Sequence, residues 1–220
     1  MRTISARQLL FTFVPGVTIL VATLFGRLVF HESFRTLTRD VTTIAGLHPI
    51  TGFLSTLGIL LWCATASICL FTAMTLINAR PRETFWFLLC SALLSTYLLL
   101  DDAFLIHEDL GRRYLGLSEK AIFSFLAIAV IVYAVAFRRI ISRTNFDILL
   151  LALMFLAICV AIDAFFETWL LQLDDWEYFI EDGLKWLGIT CWCGYYAHTS
   201  HQLLVASFGS ADRNKTGQYC

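Results

Sequence analysis

Six long apolar blocks dominate the chain, near residues 9–30, 50–78, 84–106, 119–138, 147–171 and 180–206. Each can cross the roughly 30 Å of hydrocarbon in a bilayer, which takes about 20 helical residues. Inside a bilayer every backbone N–H and C=O must find a partner within the protein, so only helices and closed barrels span it. Strands of a membrane barrel alternate polar and apolar residues over short segments, and runs of this length do not alternate. Composition agrees: 58% of the 220 residues are hydrophobic and 15% charged, against about 45–50% and about a quarter in soluble domains. The expected fold is an all-α integral membrane protein, a bundle of six transmembrane helices over residues 1–208. A polar tail, 209–220, is expected to be disordered.

The first block follows a basic start, Arg2 and Arg7, and is too long for the apolar core of a signal peptide, so it reads as a retained span. Pro81 falls between the second and third blocks, where a helix should stop. Six of the seven cysteines lie inside apolar blocks and none forms a CxxC, which points to small packing residues and not to a disulfide framework.

Lysine and arginine set the direction. One side of the predicted membrane carries nine of them (Arg2, Arg7, Arg80, Arg82, Arg138, Arg139, Arg143, Arg213, Lys215) against three acids. The other carries Arg27, Arg35, Arg39, Arg112, Arg113 and Lys120, with Lys185 just inside the sixth span, against fourteen acids. The positive-inside rule then places both termini in the cytoplasm and the acidic face outside or in a lumen. The expected setting is the inner, cytoplasmic membrane. The formal net charge of −1 gives no footing for nucleic acid, so the expected partners are the lipid bilayer and other membrane subunits.

With that orientation, scattered polar residues fall into one layer. The third span reaches Asp101 and Asp102 near its outer end, followed by His107 and Glu108. The fifth meets Asp163 and, a turn later, Glu167; the sixth begins with Glu181, Asp182 and Lys185. At 1.5 Å per residue, Asp101, Asp102, Asp163, Asp182 and Lys185 all lie in the outer third of the bilayer. His31, Glu32 and His48 sit at the outer ends of the first two spans. Facing lipid would cost a charged side chain up to roughly 2.5–3.5 kcal/mol, so the layer should turn into the bundle.

Three readings of the layer stay open. Lys185 could pair with Glu181 and Asp182 along its helix and bond Asp163 or Asp102 across helices, as structural glue. Alternatively Asp101, Asp102, His107, Asp163 and Asp182 could hold a divalent metal (Zn, Mn, Fe or Ca), with Glu108, Glu167, Glu181 and Lys185 around them. A metal-bound water attacking a lipid-borne ester or amide would then be the default chemistry. The third reading is an ion or proton path. In a regular helix His107 points well away from both aspartates, so a shared set requires the third helix to end or kink near Ile106.

His198 and His201, one turn apart at the cytoplasmic end of the sixth span, form a weaker second candidate. The glycines between Gly183 and Gly194 suggest close helix packing, and the six tryptophans suggest membrane interfaces. Zinc hydrolases of the ceramidase and adiponectin-receptor type also bury Asp and His, but they use seven spans and a HxxxH pair facing the other ligands. This chain offers six blocks and a HxxH pair on the opposite side, so no roles transfer. Serine-hydrolase, P-loop, Rossmann and HExxH patterns are absent.

Overall fold

A computed structural model describes the backbone of residues 6–31, 33–79, 81–170 and 176–216, and the side chains of these except at 6–12, 15, 115, 163–170, 177 and 209–216. The described residues form helices joined by short turns and loops, with no strand among them. The six expected blocks appear as the six long helices: α1 (Ala6–Phe30), α4 (Phe53–Leu76), α5 (Arg82–Phe104), α7 (Glu119–Ala136), α9 (Phe146–Leu170) and α10 (Trp176–Thr216). Short helices α2 (Phe34–Thr38), α3 (Val41–Ala45), α6 (Gly111–Leu115) and α8 (Arg138–Ile141) lie in the connections. Among the described residues α4, α5 and α7 are each long and apolar enough to cross a membrane, and the stretches Gly16–Phe30 and Phe146–Ile162 are shorter apolar helices.

The chain forms two compact units, residues 1–52 and 53–220. In the first, α1 ends before His31, which takes a positive φ of 56°, and α2 starts at Ser33, whose hydroxyl accepts from the Thr36 N–H at 3.2 Å. In the second, the closest helix pairs are α4 with α5, α9 with α10, and α4 with α10. The reason is visible in the spacing. Buried residues on α4 recur as Gly58, Trp62, Thr65, Cys69, Thr72 and Leu76, and on α10 as Ile189, Trp192, Tyr196 and Thr199. Steps of three and four residues put each set on one helix face.

Gly188 lets α9 come close, because a Cβ there would stand 2.7 Å from Leu156 Cγ; Gly58 does the same beneath Ile189 at 3.1 Å. Gly183 and Gly194 have open space around them, so the small-residue reading holds at one position of the three. Buried hydroxyls also tie the helices together. Ser91 on α5, Tyr133 on α7 and Tyr196 on α10 share bonds of 2.7 and 2.8 Å, all buried.

One expectation shifts here. Trp62 and Trp192 are buried core residues 5.8 Å apart at their ring centres and are not interface markers; Trp86 and Trp176 are exposed. The backbone of α10 runs on through Thr216, so the polar stretch from residue 209 begins as helix. At 41 residues α10 is about 60 Å long, twice what a bilayer core requires.

Candidate functional site

The decisive local event is the end of α5. Leu105 takes φ 50°, ψ 47°, a left-handed conformation that costs a branched side chain roughly 1–2 kcal/mol. Its N–H caps the helix on the Asp101 carbonyl. The chain then re-enters a wide turn of π-helix, Ile106–Leu110, with Leu110 N–H reaching the Leu105 carbonyl at 3.1 Å. Single π turns and left-handed residues of this kind concentrate at functional sites. The kink falls within one residue of the position where a shared ligand set requires it.

Its effect is to fold His107 back over α5, onto Asp101 and not onto Asp102. Asp101 Oδ1 accepts from the His107 backbone N–H at 3.1 Å and Oδ2 lies 2.8 Å from Nδ1. Both residues are buried. The Phe123 ring of α7 lies against the imidazole, centroid to centroid 4.9 Å, and Glu108 Oε1 stands 3.5 Å from Nε2. Burial pulls the His107 pKa down, but the hydrogen bond and charge of Asp101, aided by Glu108, leave it raised above its ordinary value.

Asp102 points to the other side of α5. Its Oδ1 takes an ion pair from Lys185 Nζ on α10 at 2.8 Å, and its Oδ2 accepts from the Trp62 indole N–H on α4 at 2.9 Å. Three helices therefore meet on one carboxylate. Asp182 adds to the negative field around Lys185.

Between these two clusters lies a cavity of about 220 Å³. Asp101, Asp102, Glu108, Glu119, Glu181 and Asp182 line it, with His107 and Lys185 as basic groups and Trp62, Phe123, Leu126 and Leu156 among its apolar walls. At about 30 Å³ per water it has room for several waters or a small ligand. A second space of about 20 Å³, one water in size, borders Asp102, Asp182 and Lys185 from the Gly58 side, so the ion pair stands between the two.

Of the candidates from sequence, Asp101, Asp102, His107, Glu108, Glu181, Asp182 and Lys185 thus border one space. The side chains of Asp163 and Glu167 lie outside the described residues, as does Glu32. His198 and His201 are exposed on α10, and His31 and His48 are exposed in the first unit. Among the described residues no three of His, Cys, Asp and Glu are already gathered as a metal-ligand set. Sequence reading missed Trp62, Glu119 and Phe123. A tryptophan in the middle of an apolar block, where its N–H needs an acceptor, was the available signal for Trp62.

Residues 12–199 match the model of a family described as a domain of unknown function, DUF8692. The chain belongs to the DUF8692 family. The matched region runs from α1 to Thr199 of α10 and contains every residue that lines the cavity. Searches of characterised proteins and of solved structures return no match.

Proposed function

We propose that this DUF8692 member is a six-span membrane protein, both termini cytoplasmic, whose outward-facing acidic cavity binds a divalent metal at His107 and Glu108. The observation that carries the reading is the imidazole: one nitrogen is pinned by a buried carboxylate and the other is turned to a second carboxylate that lines the cavity. Metal-bound histidines almost always give their other ring N–H to such a partner, which fixes tautomer and ring direction. The 3.5 Å between Nε2 and Oε1 is close to the edge of a tetrahedral site, about 3.3–3.4 Å for ligand bonds of about 2.0–2.1 Å. Further ligands would come from Asp182, Glu181 or Glu119 by side-chain rotation, or from water. Asp101 orients the histidine and does not itself ligate.

If the site is catalytic, a metal-bound water is the nucleophile and a neighbouring carboxylate the base, acting on an ester or amide. The direct test is metal content of the purified protein, wild type against His107→Ala and Glu108→Gln. Stoichiometric zinc, manganese or iron in the wild type, lost in both variants, is the expected result; a metal-free wild type that takes up none on titration refutes it.

A second reading is favoured by Asp102. Its charge is already met by Lys185 and Trp62, which suits a structural network in an accessory subunit of a larger membrane complex. The two readings divide the layer: Asp102–Lys185 braces three helices, and Asp101–His107–Glu108 faces the cavity. Ion or proton translocation is less well supported, since both buried aspartates have partners within the bundle.

A further inference from the structure

Beside the acidic cavity, α5 and α7 leave a much larger groove of about 840 Å³, within the usual range for ligand sites. Its lining follows a single helical face on each side. On α7 it comprises Ile122, Phe125, Leu126, Ala129, Val132, Tyr133 and Ala136, with Phe137 just past the helix end, and on α5 Cys90, Leu93, Leu94 and Tyr97. From Ile122 to Ala136 the α7 stripe spans fourteen residue steps, about 21 Å, and includes the small residues Ala129 and Ala136. The Tyr133 hydroxyl is spent on Ser91 and Tyr196, and the more exposed Tyr97 also lines the groove. The groove is open along its length, with Phe125, Leu93 and Val132 exposed, and its apolar walls suit hydrocarbon.

We propose that this groove holds the hydrocarbon chain of a membrane lipid whose polar end lies at the acidic cavity, so that the site serves a lipid-borne ligand. The joint between the two spaces is what selects a lipid over a packed helix. Leu126 lines both, and Ile106 at the groove's end is followed directly by His107 in the cavity. A ligand with one long apolar part and one polar part matches both spaces at once, whereas a helix would cover the groove and leave the joint unused. The groove is also longer than the roughly 15 Å of one hydrocarbon leaflet, enough for a single extended chain. This inference rests on the reading of the cavity as a binding site, and the experiment separates the two.

The probe is phosphatidylcholine carrying a diazirine midway along one chain, in vesicles containing the purified protein. After irradiation, labelled residues are mapped by peptide mass spectrometry and metal content is measured on the same sample. Labelling should concentrate on Leu93, Ala129 and Val132 over Ile128, Ile131 and Val135, which are exposed on α7 but do not line the groove. Ala129→Trp should lower groove labelling about tenfold while metal content holds, and Ile131→Trp should change neither. Equal labelling of both faces of the wild type overturns the proposal and needs no variant. So does crosslinking of a second copy across the groove. A metal-free protein that still labels in the groove sinks the metal reading and leaves this one standing.

Discussion

Lys185 Nζ and Asp102 Oδ1 stand 2.8 Å apart across two helices, and the other oxygen of the same carboxylate holds the indole of Trp62 from a third. The arrangement satisfies three partners that would be costly to strand in a low-dielectric interior. Breaking a buried pair from one side costs about 3–5 kcal/mol, because the remaining charge has no partner. The Lys185 side chain is 34% exposed against 10% for Asp102, so water tempers the loss on the lysine side.

The first prediction follows from that asymmetry. Lys185→Met strands the more buried aspartate and should destabilise by about 2–4 kcal/mol, near the lower end of the range for buried pairs. Asp102→Asn keeps an acceptor for Trp62 and strands the better-solvated lysine, so its cost should be smaller. Thermal melts in detergent, run as a double-mutant cycle, measure the coupling. A coupling near zero would mean the pair is not a brace.

Trp62→Phe isolates the indole hydrogen bond. The ring is buried against Trp192, and phenylalanine keeps part of that packing while removing the N–H. The loss of a hydrogen bond to a charged group is worth about 1.5–3 kcal/mol, added to the smaller ring's lost contacts. Stability should fall while metal content is unchanged, because Trp62 serves Asp102 and not His107. A variant that folds normally yet loses metal would show the two halves of the layer to be one site.

How much of this was legible beforehand depends on the range of the signal. Helix positions are short-range: Pro81 sits at the start of α5 and Ser118 caps α7, accepting from Ala121 N–H at 3.3 Å, so the first five blocks and their helices agree to within a few residues, while α10 runs ten residues past the sixth block. The pairing of Asp102 with Lys185 was one of two cross-helix options, Asp102 or Asp163, because depth along the helix is readable but rotation between helices is not. The Asp101–His107 pair could not be seen in a regular helix. It exists because Leu105 turns left-handed, and nothing in the run Ala103–Phe104–Leu105–Ile106 announces this; a glycine or asparagine would have. Trp62 was misplaced because tryptophan's interface preference is a statistical one, which a buried acceptor overrides.

Leu105 itself gives the third prediction. Leu105→Gly should be tolerated or slightly stabilising, since relief of about 1–2 kcal/mol in the left-handed region offsets the lost contacts of a 47% exposed side chain and the added chain entropy. Leu105→Val should be harmful, because a β-branched residue is a poor fit there and would drive α5 to continue. Continuing α5 carries His107 off Asp101. The check is metal content alongside melting temperature: glycine keeps both, and valine should lose metal first. Equal behaviour of the two variants would show that the turn is not what positions His107.

The last prediction concerns Asp101, and it separates an orienting carboxylate from a ligand. Asp101→Asn leaves one carbonyl oxygen where the carboxylate had two, so it can accept from the His107 backbone N–H or from Nδ1–H but turns an NH2 toward the other, and it removes the charge that raises the basicity of the ring. Loss of such an outer partner typically costs about 10–100-fold in metal affinity. Removing a true ligand, as in His107→Ala, should abolish stoichiometric binding under the same conditions. Zinc titrations of the two variants should therefore give a weakened isotherm for Asp101→Asn and none for His107→Ala, with Asp102→Asn close to wild type. An Asp102→Asn protein that loses the metal as fully as His107→Ala would move the ligand set onto the Lys185 side of the cavity. Unchanged affinity in Asp101→Asn would reduce its contact with His107 to packing, and the argument for a metal at Nε2 would lose its main support.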